Sequence, residues 1–232
     1  MASLSSLMRN AQRKLRHAAT PKKQIIDRFH RLYYDAGDQL GLTWKDTSWL
    51  GVPVRKCPLD LWLYQEILFE LRPDLIIETG TFVGGSAYYL ASLCDALGKG
   101  KVITVDIKQF GSPPAHDRIQ YLLGSSVADD IVQQIRERTR GMDTVLVILD
   151  SDHTKPHVLQ ELRIYSAFVT KGSYMIVEDT NINGHPVVPT FGPGPMEAME
   201  DFLRGNRDFA SDPKKDKYYL TFNPQGYLRK LR

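Results

Sequence analysis

The stretch DLIIETGTFVGGSAYYLASLCDALGKGKVITVDI, residues 74–107, decides the fold. It begins with a short apolar run that stops at Gly80, which is typical of a buried strand. Residues 85–98 then show helical periodicity and close on Gly98, and residues 101–107 form a second apolar run. A strand, a glycine loop, a helix and a second strand in this order predict a parallel β-α-β unit.

The same alternation continues to residue 180. The sequence predicts three further strands and the helices between them, at residues 118–126, 143–150 and 173–180 for the strands and near 127–140 and 156–170 for the helices. Parallel strands need right-handed crossovers, which cover both faces of the sheet. The predicted fold class is therefore α/β, a doubly wound Rossmann-like sheet.

Both ends of the chain depart from this pattern. A loop rich in Pro and Gly at 181–195 and a helical segment at 196–206 follow the last parallel strand. Residues 217–231 have the pattern of an antiparallel hairpin around a turn at 223–226. At the other end we expect residues 1–57 to form a helical arm and a substrate-side extension, and residues 58–232 to form the main domain.

The composition excludes several classes of protein. The 232 residues are 42% hydrophobic and 25% charged, which is ordinary for a globular protein, and the net charge of +3 is too small to indicate a nucleic-acid partner. Cys57 and Cys94 lack metal or redox spacing, which favours a reducing compartment. No apolar run reaches the about eighteen residues of a membrane span. We therefore expect a soluble cytoplasmic protein without a transmembrane segment.

The first 26 residues carry six basic residues and no acidic one, with Leu4, Leu7, Met8 and Leu15 along one helical face. A basic amphipathic helix of this kind packs on the domain or on a neighbouring subunit, contacts a membrane surface, or serves as a targeting peptide. The packing interpretation is favoured, and we expect a homo-oligomer.

The ends of the first two strands predict a nucleoside site, because ligands of open α/β sheets bind beyond the carboxyl ends of the strands. The loop from Glu78 to Ser86, which includes Gly80 and Thr81, offers close approach to the backbone and free helix amides. Asp106 ends the next strand and has the carboxylate that ribose hydroxyls require. The glycine spacing differs from the dinucleotide fingerprint, and Glu78 favours an ammonium-bearing cofactor such as S-adenosylmethionine over NAD.

The third strand ends in Ser125 and Ser126, which either bind an adenine edge or cap the next helix. Asp150 ends the fourth strand. Glu178 and Asp179 end the fifth. Neighbouring strands lie about 5 Å apart, so these three carboxylates converge if the fifth strand stops there.

Converging carboxylates repel one another unless a cation lies between them, and hard oxygen ligands suit Mg²⁺ or Mn²⁺ rather than zinc. Asp152 is interpreted as a cap for the helix that follows, although it remains an alternative ligand to Asp150. His153 is either a functional residue or only a hydrogen-bonding neighbour of the metal site.

Three runs, at residues 47–93, 145–158 and 173–180, together resemble the cephalosporin hydroxylase family, which contains S-adenosylmethionine-dependent enzymes of cephem methoxylation and rhamnosyl O-methyltransferases. The resemblance covers roughly residues 45–205. It implies a class I methyltransferase fold, a seven-stranded sheet with a terminal antiparallel hairpin. A more distant resemblance links the chain to Mg²⁺-dependent macrolide-sugar and catechol O-methyltransferases.

The resemblance also implies roles for individual residues. It places the metal ligands at Asp150, Glu178 and Asp179, the base at His153 and the ribose carboxylate at Asp106. The cofactor loop then falls on residues 78–86. From their positions at the strand ends, Ser125, Ser126 and Asp150 are also expected to contact the cofactor.

The expected activity is S-adenosylmethionine- and Mg²⁺-dependent methylation of a hydroxyl group on a sugar or a similar polyol-like small molecule. The loop 181–195, with His185 and Phe191, is the expected lid, and Trp44, Trp49 and the N-terminal arm are expected to line the acceptor pocket. Contacts between subunits are an equal alternative for these residues. Two alternatives stay open: an NAD- or nucleotide-sugar-dependent oxidoreductase on the same sheet, and a non-catalytic partner that keeps the cofactor fold.

Overall fold

The structure, a computed structural model, describes residues 21–232. The helices of this part are α1 (Lys22–Leu40), α2 (Pro58–Leu71), α3 (Gly85–Leu97), α4 (Asp129–Thr139), α5 (Lys155–Tyr165) and α6 (Pro195–Gly205). The strands are β1 (Ser48–Trp49), β2 (Val52–Pro53), β3 (Leu75–Thr79), β4 (Lys101–Asp106), β5 (Ile119–Leu123), β6 (Val145–Leu149), β7 (Tyr174–Val177), β8 (Phe209–Ser211) and β9 (Tyr227–Lys230). The first 20 residues of the predicted basic arm lie outside the described residues.

Seven strands form the main sheet in the order β5-β4-β3-β6-β7-β9-β8. The first five strands in this order, β5, β4, β3, β6 and β7, are parallel, and β9 pairs antiparallel with both β7 and β8. The predicted α/β fold class and its terminal antiparallel strands are confirmed. Because the strand order reverses beside β3, the ends of β3, β4 and β6 open onto one crevice.

One part of the predicted hairpin is wrong. Residues 217–222 are not a strand, and the partner of β9 is β8, which precedes them. The aromatic and apolar residues of this segment pack against the amino-terminal part of the chain instead: the Phe222 ring stacks on His30 at 5.6 Å and lies 5.3 Å from the Tyr34 ring. Tertiary packing therefore overrides the strand-like pattern of the segment.

Helices cover the sheet on both sides. Leu75 and Ile77 of β3 face a core that contains residues of α4, α5 and α6. Ile76, between them, faces a second core, built with residues of α2 and α3. This alternation follows from the two-residue period of a strand, and it explains why β3 and β6 are buried along their whole length.

Two glycines of the loop after β3 allow parts of the protein's own backbone to approach one another closely. Gly80 has a φ of +90°, and a Cβ atom there would overlap the carbonyl oxygen of Asp150. A Cβ atom at Gly85 would overlap the carbonyl oxygen of Pro53. These glycines permit close approach of the protein's own backbone, so they hold the ends of β3 and β6 and the β1–β2 hairpin together.

The described part of the amino-terminal segment joins the domain through an aromatic cluster. Tyr34 of α1 stacks on Trp44 with 5.1 Å between the ring centroids, and Trp44 meets Phe222 edge-on. Within residues 21–232, none of the helices combines the length and the hydropathy needed to cross a bilayer.

Glu197, in the first turn of α6, fixes the predicted lid loop. Its carboxylate accepts hydrogen bonds from the Gly194 amide at 2.7 Å, from Asn183 at 3.0 Å and from His185 at 2.8 Å. Burial would raise the pKa of Glu197, but these hydrogen bonds outweigh it and lower the pKa to about 2. The ionised carboxylate therefore stabilises the folded protein.

Replacement of Glu197 by Gln should remove stability at neutral pH, by about 1–2 kcal/mol. Because the folded pKa is depressed, the contribution of Glu197 is complete above pH 4.5 and disappears as the pH falls through about 2. Urea unfolding at several pH values should therefore show a smaller loss of stability on acidification in Glu197→Gln than in the wild type. The exposed Glu200 of the same helix provides the matched control, Glu200→Gln. If the free energy of unfolding changed with pH in the same way in the wild type and in Glu197→Gln, this role of Glu197 would be contradicted.

Candidate functional site

Two cavities meet at the carboxyl ends of the strands. The larger, about 640 Å³, is lined by residues from the ends of β3, β4, β5 and β6, among them Gly80, Asp106, Ser125, Ser126 and Asp150. The smaller, about 340 Å³, is lined by Tyr34, Trp44, Arg55, Thr81 and Ser86, among others. Asp150 and His153 border both cavities. A molecule in one cavity therefore lies next to a molecule in the other, on either side of these two side chains.

Glu78 lies beneath this crevice and is completely buried. Thr104 donates a hydrogen bond to its Oε2 at 2.7 Å, and Thr81 is hydrogen-bonded to Thr104 at 2.8 Å. Within the described residues, the other oxygen, Oε1, has no hydrogen-bond partner. Burial raises the pKa of Glu78 to about 7, and the charge of Lys56 opposes this rise. A buried, unpaired carboxylate oxygen beside the loop suits a cationic or hydrogen-bond-donating ligand.

Asp106 contacts the same loop from the end of β4. Its Oδ2 accepts hydrogen bonds from the backbone amides of Thr81 and Phe82, at 3.0 and 2.9 Å. Its Oδ1 accepts a hydrogen bond from the backbone amide of Lys108 at 3.1 Å. Asp106 thus orders the loop as well as lining the larger cavity. An ionised carboxylate has about four acceptor positions, so it retains capacity for ribose hydroxyls.

Ser125 and Ser126, which the sequence predicts as a pair, lie in different surroundings. Ser126 donates to the buried carboxylate of Glu161 at 2.5 Å, and Ser151 donates to the same oxygen at 2.7 Å. His157, which lines the larger cavity, lies 3.4 Å from this oxygen. Sequence analysis missed Glu161 because it looks like an ordinary polar residue of a helix, and its partners lie on other elements.

The group Asp150, His153 and Asp179 has the geometry of a cation site. Nε2 of His153 lies 3.3 Å from Asp150 Oδ1 and 3.3 Å from Asp179 Oδ2, and one ligand atom from each residue falls within 4.8 Å of the others. The chain turns at this point because β7 stops at Val177 and Asp179 has a φ of 54°. Asp152 contacts the backbone amide of Thr154 at 2.7 Å, as a helix cap does.

Glu178 lies beside this group, but its carboxylate has other partners. Lys56 donates to Glu178 Oε1 at 2.6 Å and to Asp150 Oδ2 at 2.5 Å, and Tyr64 donates to Glu178 Oε1 at 2.7 Å. Asp150, Glu178 and Asp179 nevertheless border one cavity of about 40 Å³. Sequence analysis missed Lys56, which comes from the segment before α2 and is only 5% exposed.

The charges of these groups depend on one another. Burial raises the pKa of Glu178 to about 8, with a further rise from the charge of Asp150. Burial would also raise the pKa of Asp150, but Lys56 and His153 hold it below the usual value. Burial would lower the pKa of His153, and the carboxylates of Asp179 and Asp150 raise it to about 9 instead. The pKa of His153 is therefore set by the charge of the carboxylates around it.

The four residues that were expected to surround the acceptor lie at different places in the structure. Trp44 lines the smaller cavity and Phe191 the larger one. Trp49 packs edge-on against Tyr89 and donates to Ser92, so it is held against α3. His185 contacts Glu197 and thereby belongs to the anchor of the loop.

Ser126→Ala should cost about 1–3 kcal/mol of stability, because it removes a hydrogen-bond donor from the buried carboxylate of Glu161. Ser125→Ala is the matched control: no side-chain hydrogen bond of Ser125 occurs within residues 21–232, and its removal should change the free energy of unfolding by less than about 0.5 kcal/mol. Chemical denaturation of the two variants measures the difference. Equal losses would mean that the contact with Glu161 does not stabilise the fold.

Comparison with known proteins identifies the family. Residues 42–231 match the family model described as Rhamnosyl O-methyltransferase/CmcI. The rhamnosyl O-methyltransferase of Mycobacterium leprae (strain TN) is 38% identical over 217 residues, which cover 90% of this chain and 91% of that protein.

Solved structures share the fold. A structure of CmcI with Mg and SAM has a TM-score of 0.62 at 22% identity and covers 80% of this chain and 77% of that chain. The methyltransferase MycE with Mg and SAH has a TM-score of 0.52 at 21% identity and covers 73% of this chain and 48% of that chain. The predicted family resemblance is therefore confirmed: the chain belongs to the rhamnosyl O-methyltransferase/CmcI family and is an O-methyltransferase.

Proposed function

We propose that this enzyme transfers the methyl group of S-adenosylmethionine to a hydroxyl group of a sugar or a similar polyol-like acceptor, with Mg²⁺ or Mn²⁺ in the carboxylate site. The observation that carries the proposal is the meeting of two cavities at Asp150 and His153. Methyl transfer requires a donor and an acceptor to be held in line, and adjoining cavities with a shared polar wall provide this arrangement.

The cofactor is proposed to occupy the larger cavity. The volume of about 640 Å³ is within the usual range for a site of this kind. Asp106 and Gly80 line this cavity, and Asp106 supplies the carboxylate for the ribose. The ammonium end of S-adenosylmethionine is proposed to extend toward the unpaired oxygen of Glu78, past Thr81 and Ser86 of the smaller cavity. The oxidoreductase alternative loses its support, since the family of the chain is one of methyltransferases.

The metal is proposed to bind between Asp150, Glu178 and Asp179. Their oxygens are hard ligands, and they border one small cavity. Both hydrogen bonds to Glu178 use Oε1, which leaves Oε2 for a cation. CmcI and MycE, whose structures contain Mg, have the same fold, which supports a divalent cation here.

His153 is proposed as the base. Asp150 and Asp179 hold Nε2 between them, at the border of both cavities, where it can take the proton of an acceptor hydroxyl. When bound, Mg²⁺ would supply positive charge that lowers the pKa of nearby groups, and the cofactor would supply an electrophilic methyl group. As the acceptor oxygen takes the methyl group and the sulfur–methyl bond breaks, His153 would accept the hydroxyl proton, and S-adenosylhomocysteine would be the second product.

A sugar is the proposed acceptor because of the family and the wall of the smaller cavity. Tyr34 and Trp44 present aromatic rings there, and such rings commonly pack against the faces of sugars. The curated relatives at 38% identity are named rhamnosyl O-methyltransferases. The homo-oligomer and the cytoplasmic location expected from the sequence stay predictions.

Asp106→Asn should weaken the binding of S-adenosylmethionine at least about tenfold, because an amide oxygen accepts ribose hydroxyls less strongly than a carboxylate does. Calorimetric titration of the cofactor-stripped protein, with Mg²⁺ and with EDTA, measures the affinity. Asp117→Asn, at an exposed position just before β5, should bind like the wild type. Unchanged affinity in Asp106→Asn would refute the ribose role, and absence of binding to the wild type would refute the proposed function.

His153→Ala should reduce turnover by about 10²–10⁴-fold while Mn²⁺ still binds, because general-base catalysis contributes that much. Turnover is measured with saturating cofactor, and Mn²⁺ binding by electron paramagnetic resonance. His116→Ala is the control, because His116 pairs with the exposed Asp95 away from both cavities. Loss of Mn²⁺ binding in His153→Ala would instead assign His153 to the metal.

A further inference from the structure

Lys56 is a buried cation among the proposed metal ligands. Its ammonium nitrogen lies 2.5 Å from Asp150 Oδ2 and 2.6 Å from Glu178 Oε1, and the side chain is only 5% exposed. An ammonium group in this position requires carboxylates to compensate its burial, and the carboxylates equally require the ammonium group. Lys56 and a divalent cation thus act on the same set of negative charges.

The backbone holds Lys56 in this place. Its amide donates to the Thr47 hydroxyl at 3.2 Å, and the Thr47 hydroxyl also contacts the Trp44 carbonyl at 2.7 Å. Arg55, just before it, has a φ of 56°, in the left-handed region that few side chains favour. The turn at Arg55 directs the two neighbouring basic side chains to different places. Arg55 is exposed and lines the smaller cavity, whereas Lys56 is buried.

Asp150 divides the site into two halves. Its Oδ2 contacts Lys56, which also holds Glu178, whereas its Oδ1 faces His153 and Asp179. In the half with Lys56, Glu178 Oε1 accepts hydrogen bonds from Lys56 and Tyr64, which leaves Glu178 Oε2 for a divalent cation. The half with His153 and Asp179 has the geometry of a cation site.

From this arrangement we propose that Lys56 is an internal counter-cation that sets the metal affinity of the site. It neutralises Glu178 and one oxygen of Asp150, holds the carboxylates together without a metal, and weakens the binding of a divalent cation so that the cation exchanges. This inference rests on the proposed function, because it concerns the same metal site. It adds a positioning residue from outside the main sheet.

Removal of the ammonium group tests the proposal directly. Lys56→Met keeps most of the length of the side chain but leaves three carboxylates without their nearest fixed positive charge. The variant should bind Mn²⁺ at least about tenfold more tightly than the wild type. The ammonium group of Lys56 repels a cation bound to the same carboxylates, and this repulsion between charges is strong in a buried site. Its melting temperature should be lower than that of the wild type in EDTA and should recover on addition of Mn²⁺.

The experiment is a titration with Mn²⁺ alone, by electron paramagnetic resonance, together with thermal unfolding in Mn²⁺ and in EDTA. Lys99→Met is the matched control, because Lys99 pairs with Asp74 at the opposite end of the sheet. If Lys56→Met does not fold without a metal, Lys56→Met/Glu178→Gln is compared with Glu178→Gln. The double variant should bind Mn²⁺ more tightly than the single one.

The outcomes separate the two proposals. If the wild type binds Mn²⁺ and removal of Lys56 leaves the affinity unchanged or weaker, the role of Lys56 is overturned and the metal site stands. If only the variants without Lys56 bind Mn²⁺, the role of Lys56 is supported and metal dependence of the wild type is overturned. If none binds, both proposals are contradicted.

Discussion

The charge of one buried ammonium group balances carboxylates that the ends of three strands bring together. Glu78 is the penultimate residue of β3, Asp150 follows β6 and Glu178 follows β7, and Lys56 interacts with all three. Burial of like charges at this spacing is unfavourable without compensation. The site therefore depends on a residue that the sheet does not supply.

The amino-terminal segment consequently belongs to the site. It contributes Lys56 to the carboxylates, and it contributes Tyr34 and Trp44 to the smaller cavity. The absence of a side chain at Gly85 allows the backbone at Pro53 to approach α3 closely. The same segment thus sets both the charge beside the reacting groups and the shape of the proposed acceptor pocket.

Much of the fold could be predicted because each parallel strand carries its signal locally. The apolar runs of β3, β4, β6 and β7 end close to the predicted positions, and Asp106, Asp150 and Asp179 follow from where those runs stop. The prediction of the first hairpin strand was wrong because apolar side chains of residues 217–222 pack against α1 and its neighbours. This contact joins distant parts of the chain.

Contacts between distant parts of the chain also explain why some site residues were not predicted. Lys56 lies 94 positions from Asp150 and 122 from Glu178 along the chain, and a lysine in a loop carries no local sign of burial. Glu161 contacts Ser126 across 35 positions. Patterns identify residues at strand ends, whereas the partners that fix their charge and orientation come from any element that the fold brings near.

A transfer assay is the direct test of methyl transfer to a sugar hydroxyl with a divalent cation. Purified protein is incubated with methyl-labelled S-adenosylmethionine and a rhamnoside acceptor, in Mg²⁺ or in EDTA, and the product is examined for a labelled methyl ether. We expect a labelled ether in Mg²⁺ and its loss in EDTA. Undiminished transfer in EDTA would contradict the metal site, and failure to methylate rhamnosides or other glycosides while the cofactor binds would contradict the proposed acceptor.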